Sequence, residues 1–366
     1  MSATNGTVQA SDRGGRGGRR PVFEAEITPG MSAGDVVALA VLAERVGFDR
    51  LGISDVVLWP DCYVLEALCA SATSRIAIGS MVTNPYTRHP AVHAGALATL
   101  ADVSGGRAFC GIGVGAGLEP LGIDYPRPVR TLRESLIVMR GLLRGEEVTF
   151  EGETTSLSAS KLVEPPDHPV PIAIGTRSPA VMRLAGELAD IALVGARHID
   201  RAMADQYRAW LAEGAARVDR DPSEVQVLPR VTLCVSSDGA AARSSVKRYA
   251  AHYLPLVGDR GPEVAPERRA AIAEALERAT GWYFDHDRYD PPELDELIDD
   301  DLATAFAVAG TPAECAEQLR AVLDLGFDGV SCNLAAVRRP DNTMADGLRE
   351  TLEGAAEILP ALHPTP

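Results

Sequence analysis

The chain has 366 residues, a hydrophobic content of 46% and a formal net charge of −16, values typical of a globular protein with a sizeable core. An acidic surface repels nucleic acid and anionic lipid, and no apolar run approaches the roughly 20 residues of a membrane-spanning helix, so neither nucleic acid nor a membrane is an expected partner. The cysteines form no CxxC pair and lack the spacing of zinc ligands, which predicts buried thiols and no metal site in a cytoplasmic protein.

The first part of the chain differs in composition from the rest. Residues 1–20 are rich in Gly, Ser and Arg and lack the apolar segment of a secretory signal, so we interpret them as a disordered tail. From residue 21 onwards, short apolar segments alternate with amphipathic helices, which is the pattern of parallel βαβ units. The predicted strands are, in chain order, VFEAEIT, DRLGISD, RIAIGSMVT, RAFCGIGVG, PVPIAIG, DIALVGA, EVQVLPRVTLCVSS and FDGVSCNL.

Eight such units favour one α/β domain over 21–366, a closed (β/α)8 TIM barrel, with an open doubly wound sheet as the alternative. A weak internal similarity supports repeated units, because AERVGFDRLGISD near the start resembles LDLGFDGVSCNL near the end. The loops that follow the strands build the active site in this fold, so the site residues are expected in those loops.

The first two strands each bring a carboxylate towards the predicted mouth of the barrel. Glu26 lies in the first strand and Asp55 ends the second. Such a carboxylate can act as a proton donor or relay if burial raises its pKa. The alternative is a structural ion pair with a nearby arginine, which the sequence alone slightly favours.

The third strand leads into a polar loop, GSMVTNPYTRHP over 79–90. Its two prolines restrict the backbone, and a rigid polar loop at this position suits cofactor binding. The alternative is a capped loop in which Thr87 and Arg88 satisfy backbone and surface groups. His93, in the helix that follows, is predicted to be a packed helix residue.

Glycines mark the next two loops. Gly113 and Gly115 follow the fourth strand and allow backbone amides to approach a ligand, although the run lacks the GxGxxG register of a dinucleotide site. The tract GTRSP over 175–179 follows the fifth strand and suits a phosphate cradle at a helix start. It equally suits a plain N-cap, with Ser178 capping and Pro179 in the first helical position, and the two interpretations are compatible.

Two segments interrupt the alternation. EEVTFEGETTSLSAS is predicted to be a hairpin or a loop excursion, and a charged stretch at about 255–300 is predicted to be a helical insertion that serves as a lid or an interface. The insertion carries His286, Trp282, Tyr283 and Phe284, which suit a substrate pocket and a buried lid equally well. We take Trp282 and Tyr283 as candidate substrate-binding residues.

The tract VTNPYTRHPAVHAGALATLADVSGGRAFCGIGVGAG resembles the bacterial-luciferase-like flavin-dependent oxidoreductases, most closely the deazaflavin branch typified by methylenetetrahydromethanopterin reductase. The tracts RPVRTLRESLIVMRGLLRGEEVTFEGE, VPIAIGTRSPAVMRLAGELAD and AVAGTPAECAEQLRAVLDLGFDGV extend the resemblance over about 21–334. The resemblance implies a barrel with insertions, a homodimer or larger homo-oligomer, and coenzyme F-420 or FMN at the mouth. It also implies a non-proline cis peptide at Ser80–Met81 or one bond later.

For individual residues, the resemblance implies a set of cofactor contacts: Ser80, Met81, Val82, Thr83, Asn84, Gly113, Gly115, Gly175, Thr176, Arg177 and Ser178. It places Glu26 near the substrate, and we predict that Glu26 acts as an acid or proton relay with Asp55 assisting. Two positions depart from the family, since Val56 stands where a histidine often follows Asp55 and Ala116 where the pterin reductases often have aspartate. The cofactor class is therefore carried over more firmly than the substrate.

We predict an oxidoreductase that transfers a hydride between coenzyme F-420 and a small organic substrate, such as a pterin or a compound with a C=C or C=N bond. The first alternative is an FMN-dependent monooxygenase on the same barrel, which would consume oxygen. The second alternative is a relative that binds the cofactor without turnover.

Overall fold

The computed structural model describes residues 20–362, so the predicted tail lies outside the described residues apart from Arg20. The strands are β1 Val22–Ile27, β2 Arg50–Ile53, β3 Ala77–Thr83, β4 Ala108–Ile112, β5 Val148–Glu151, β6 Ser156–Ser160, β7 Ile172–Thr176, β8 Ile191–Val194, β9 Gln226–Val235, β10 Ala307–Gly310 and β11 Gly329–Leu334. The helices are α1 Ala33–Val46, α2 Cys62–Ala72, α3 Pro90–Ser104, α4 Pro128–Leu143, α5 Pro179–Leu188, α6 Arg201–Ala216, α7 Gly239–Val257, α8 Pro266–Arg278, α9 Glu293–Leu297, α10 Asp300–Thr304, α11 Pro312–Leu323 and α12 Met344–Leu362.

Eight parallel strands close into a barrel in the order β1-β2-β3-β4-β7-β8-β9-β11, and β11 pairs back onto β1. The predicted TIM barrel is confirmed, and the open sheet is wrong. β5 and β6 form the predicted antiparallel hairpin outside the barrel. β10 was not predicted, because its four residues carry no alternating pattern; it pairs with the second half of β9.

Three barrel strands are preceded by an aspartate that makes the same contact. Oδ2 of Asp49, Asp190 and Asp328 each accepts a hydrogen bond of 2.8–2.9 Å from an amide at the start of the neighbouring strand. The carboxylate thus begins the strand ladder and fixes its register at the amino end of the barrel. Two of these aspartates belong to the internal similarity seen in the sequence.

The barrel interior has two chemically distinct halves. The face of β1 that carries Phe23 and Ile27 packs under the helices in the main hydrophobic core, so Glu24 and Glu26 face inward. The apolar half consists of Met81, Phe109, Ala173, Ile191, Leu193 and Leu228. The polar half consists of Glu24, Glu26, Arg50, Arg230, Thr232, Ser331 and Asn333, from β1, β2, β9 and β11.

A second hydrophobic core lies beside the barrel, where α7 to α10 pack with β10 around Phe306. Tyr283 and Phe284 pack against this core, which holds the segment between α8 and α9 close to the barrel. All six cysteines are buried and none forms a disulfide within residues 20–362, as predicted. Burial raises the pKa of Cys69 and of Cys110 to about 12, so these thiols are neutral. No described helix is long and apolar enough to cross a membrane.

Candidate active site

A cavity of about 970 Å3 lies at the carboxyl ends of the barrel strands, where the sequence predicted the site. Its wall is formed by the loops after the strands, by the end of α7 and by the segment between α8 and α9. The predicted site residues on this wall are Glu26, Asp55, Met81, Val82, Thr83, Asn84, Gly113, Gly115, Gly175, Thr176, Arg177, Ser178, Trp282 and Tyr283.

Ser80 is the predicted cofactor residue that does not line the cavity. Its side chain is fully buried, and its hydroxyl donates a hydrogen bond of 2.8 Å to the carbonyl of Gly111. The non-proline cis peptide lies between Met81 and Val82, the later of the two bonds that the resemblance implied. Met81 and Val82 therefore line the cavity, while Ser80 links β3 to β4 through its hydrogen bond to Gly111.

The polar loop after β3 is ordered by Asn84. Its Oδ1 accepts hydrogen bonds from the amides of Tyr86 and Thr87 at 2.9 and 3.0 Å. The alternative of a capped loop predicted that Thr87 would satisfy a neighbouring polar group. This was wrong for Thr87, because its buried hydroxyl has no hydrogen-bond partner among residues 20–362. Arg88 does satisfy side chains, because it pairs with Asp55 and with Asp61 at the start of α2.

His93 fixes the same loop from α3. Its Nε2 donates a hydrogen bond of 2.9 Å to the carbonyl of Asn84, and its Nδ1 accepts one of 2.7 Å from the Tyr63 hydroxyl. Burial lowers the pKa of His93 to about 4, so the imidazole is neutral at pH 7 and holds this single tautomer. The prediction of a packed helix residue is confirmed.

Glu26 is held from two sides on the floor of the cavity. Oε1 accepts a hydrogen bond of 2.9 Å from Ser54, and Oε2 forms an ion pair with Arg230. The side chain is 4% exposed. The ion pair that the sequence favoured is thus present, and the same carboxylate lines the cavity.

Asp55 lies on the wall at the end of β2. Its Oδ2 accepts a hydrogen bond of 2.6 Å from Thr83 and contacts Arg88 at 3.4 Å. Oδ1 has no hydrogen-bond partner among the described side chains, so it remains available to a ligand. The two candidate carboxylates therefore share the cavity but have separate cationic partners.

Two glycines of the cavity wall pack closely against Val82. A Cβ on Gly113 would lie 3.2 Å from Val82 Cγ2, and one on Gly175 would lie 3.1 Å from Val82 Cγ1. Gly115 has a φ of 85°, a conformation that favours glycine. This surface, made of backbone and one valine, suits a planar ligand.

The start of α5 differs from the predicted N-cap. Ser178 and Pro179 occupy the expected positions, yet the Ser178 side chain makes no capping hydrogen bond within the described residues. The Ser178 amide instead donates to Thr176 Oγ1 at 2.8 Å. By contrast, Thr311 caps α11 with a complete capping box. The first-turn amides of α5 at the cavity are therefore free of a side-chain cap, which suits an anion.

The cavity residues missed in the sequence include Arg197, Arg230, His252 and Tyr253. Arg197 follows β8, and the rule that loops after strands build the site would have selected it. Arg230 lies inside β9 on the same face as Leu228 and Thr232, where an arginine requires a buried partner. His252 and Tyr253 come from the end of α7, whose place over the mouth depends on tertiary packing.

Comparison with known proteins gives the following relatives. The family model for luciferase-like monooxygenases matches residues 11–329. The 5,10-methylenetetrahydromethanopterin reductase of Methanolobus tindarius is 31% identical over 310 residues, which cover 83% of this chain and 91% of the relative. The F-420-dependent glucose-6-phosphate dehydrogenase of Nakamurella multipartita is 31% identical over 307 residues, which cover 80% of this chain and 84% of the relative.

Solved structures share the fold. The coenzyme F-420-dependent tetrahydromethanopterin reductase from Methanopyrus kandleri has a TM-score of 0.80 at 25% identity, covering 93% of this chain and 99% of the other. The oxygenating constituent of 3,6-diketocamphane monooxygenase from Pseudomonas putida, in complex with FMN, has a TM-score of 0.62 at 21% identity, covering 93% and 98%. The second similarity shows the fold alone.

Proposed function

Because this chain belongs to the luciferase-like monooxygenase family, we propose that it is an oxidoreductase that uses coenzyme F-420 to reduce or oxidise a small organic molecule. The relative from Nakamurella multipartita and the solved reductase from Methanopyrus kandleri are both named as dependent on coenzyme F-420. The FMN-bound monooxygenase is only 21% identical, so it supports the FMN alternative less strongly than the other two relatives support coenzyme F-420.

The observation that carries the proposal is a glycine wall beside an uncapped helix start. The wall formed by Val82, Gly113 and Gly175 suits a planar ring, and the free amides of α5 suit a phosphate. Residues that would hold the ring are Met81, Val82, Thr83, Asn84, Gly113 and Gly115. Residues that would hold the phosphate are Gly175, Thr176, Arg177 and Ser178. When bound, coenzyme F-420 supplies a carbon that gives or takes a hydride.

In this proposal, Glu26 acts as the acid or proton relay, and Asp55 assists it. Contacts with Ser54 and Arg230 fix the Glu26 carboxylate in position, and its remaining lone pairs can exchange a proton with a substrate. Val56 and Ala116, the two departures from the family pattern, both lie on the cavity wall. Neither side chain can donate or accept a hydrogen bond, so these positions add no further acid or base.

The substrate side of the cavity is aromatic. Trp59 and Phe284 meet edge to face with centroids 5.4 Å apart, and Trp282 stacks on Phe284 at 5.7 Å. Trp282 is 50% exposed, so this wall still has apolar surface to offer. A small molecule with an apolar body, such as a ring or a C=C or C=N compound, suits these contacts.

The test is a titration of the ligand-free protein with coenzyme F-420 and with FMN, followed by the intrinsic fluorescence of the tryptophans near the cavity. We expect tight binding of coenzyme F-420 and weak binding of FMN. Preference for FMN, together with oxygen uptake, would favour the monooxygenase. Binding of neither would contradict the cofactor assignment. Tight binding without turnover of any reducible compound would favour a non-catalytic relative.

A further inference from the structure

Arg197 is a buried cation that makes no direct ion pair with a described carboxylate, although the charge of Glu26 stabilises it at longer range. It follows β8 on the cavity wall and is 9% exposed. Its Nη1 is buried without a hydrogen-bond partner, and its side chain forms no ion pair with any residue in 20–362. The guanidinium carbon lies 5.2 Å from the centre of the Tyr253 ring. A charge in this state is costly unless an anion pairs with it.

The carboxylates on the cavity wall are engaged elsewhere. Glu26 pairs with Arg230, and Asp55 with Arg88. The third, Glu119, accepts a hydrogen bond from the Tyr125 hydroxyl. None of them neutralises Arg197 by direct contact. A directly paired anion is therefore left for a ligand to supply.

A small recess beside Arg197, which we call the side pocket, has a volume of about 30 Å3. The described residues that line it include Arg177, Arg197 and Arg260 but no carboxylate. Its hydroxyls come from Tyr207 and Tyr253. The volume suits a group the size of a carboxylate, since one water needs about 10–15 Å3 by this measure.

The positive charges around the side pocket also lower the pKa of His252. Burial, followed by the charges of Arg177, Arg248 and Arg197, lowers the pKa of His252 to about 4. The imidazole is therefore neutral at pH 7 and adds a hydrogen-bonding group rather than a charge. It stacks on Tyr283 with ring centroids 4.1 Å apart, and the Tyr283 hydroxyl lies 2.9 Å from that of Tyr253. The side pocket is thus joined to the aromatic wall.

We propose that the substrate is a small organic carboxylate, whose carboxylate group enters the side pocket and pairs with Arg197 while its apolar body lies against the aromatic wall. Arg197 is then a specificity residue, and Arg177 and Arg260 add positive potential around it. This inference rests on the proposed function, because it assigns the substrate class of the same cavity. The side pocket shares Arg177 with the proposed cofactor phosphate site at the start of α5, but Arg197 is not part of that site.

The experiment compares sodium benzoate with benzamide, a neutral ligand of nearly the same shape, by ligand-observed NMR titration of the F-420-loaded protein. The wild type should bind benzoate about tenfold or more tightly than benzamide, because a charge-assisted pair is lost with the neutral ligand. Arg197→Gln should bring the ratio close to one, whereas Arg197→Lys should keep part of it. Arg278→Gln, a control on exposed α8, should leave the ratio unchanged.

The ratio of two ligands on one protein sample does not depend on the folded fraction, so partial unfolding of Arg197→Gln leaves the result interpretable. Equal binding of benzoate and benzamide by the wild type would overturn the proposal. So would a benzoate preference that survives in Arg197→Gln. Coenzyme F-420 affinity is measured first on every variant. If the wild type does not bind coenzyme F-420, the proposed function is contradicted. A benzoate preference that depends on Arg197 in the ligand-free protein would still support the carboxylate site.

Discussion

The polar half and the apolar half of the barrel interior lie under the same cavity but differ in how well their buried side chains are accommodated. In the apolar half, Met81 and Phe109 pack with their neighbours and bury no side-chain oxygen or nitrogen. In the polar half, both oxygens of Glu24 and the hydroxyls of Thr232 and Ser331 are buried without a hydrogen-bond partner among the described residues. Each such hydroxyl costs about 1–3 kcal/mol, whereas Glu24 is offset in part by Arg50, whose Nη1 lies 3.8 Å from Glu24 Oε2.

The difference follows the chemistry above each half. The apolar half supports Val82 and the glycine wall, the surface proposed for a planar cofactor. The polar half supports Glu26, the proposed proton relay. Under the proposed function, polar groups are therefore buried beneath the proton relay and not beneath the cofactor wall, as expected where function overrides stability.

Replacing the reacting carboxylate should give the largest effect. Glu26→Gln keeps the shape of the side chain and removes the exchangeable proton site, so turnover should fall by about 10²–10⁴-fold while coenzyme F-420 affinity is retained. The measurement is the rate of F-420 oxidation or reduction with any substrate that the wild type converts. Glu24→Gln, one layer below the cavity, is the matched control and should change turnover only slightly. Full turnover by Glu26→Gln would remove Glu26 from the mechanism.

The apolar half should respond through stability and cofactor binding together. Phe109→Ala should lower the free energy of unfolding by about 3–5 kcal/mol, because it leaves a cavity in the cluster beneath Val82. Phe23→Ala, on the helix side of β1, should cost a similar amount. Denaturant unfolding measures the stability of both variants, and F-420 titration distinguishes them, because only Phe109→Ala should weaken F-420 binding. Equal F-420 affinity in both variants would mean that the apolar half does not shape the wall.

The Glu24 carboxyl of the polar half should affect the pH dependence of stability. It accepts no hydrogen bond from a described residue, and its Oε2 lies 3.8 Å from Nη1 of Arg50. Burial raises the pKa of Glu24, and the charge of Arg50 opposes this shift. The folded state therefore binds more protons than the unfolded state above pH about 4.3, so stability falls as pH rises towards the raised value, by up to about 1.4 kcal/mol per pH unit. Glu24→Gln should remove this fall. The slopes come from urea unfolding at several pH values, and identical slopes would contradict the assignment.

The smallest effect is expected at the glycine wall. Gly175→Ala places a Cβ 3.1 Å from Val82 Cγ1, which should weaken F-420 binding by roughly three- to tenfold. Val82→Ala removes that contact, so the double variant should bind better than the sum of the single effects predicts. Strict additivity in a double-mutant cycle of F-420 affinities would show that the two side chains act separately.

Local patterns in the sequence predicted the barrel and fourteen of the residues that line the cavity, because strand ends and the loops after them are set by short-range spacing. GTRSP, for example, was placed correctly at the start of α5. Ser178 and Thr311 are both followed by proline, yet only Thr311 caps its helix. The sequence does distinguish them at the third helical position, where Glu314 completes the capping box of α11 and Val181 stands in α5.

Long-range pairing explains the residues that were missed. The arginine that pairs with Glu26 was expected but not identified, because Arg230 is 204 positions away and meets Glu26 only when β11 lies between β9 and β1. Ser80 was misplaced although strand alternation indicates its direction. It lies on the same face of β3 as Ile78, which packs in the main hydrophobic core, so it points away from the barrel interior.

The uncapped start of α5 links the folding of the protein to the supply of its ligand. A helix without its N-cap bond is less stable by about 1 kcal/mol, and an anion that accepts from the first-turn amides restores that contribution. Ligand that binds only the folded state stabilises it by about 2.7 kcal/mol at a concentration 100 times its Kd. Cells short of cofactor would therefore hold less of this protein, because a larger unfolded fraction is exposed to proteases.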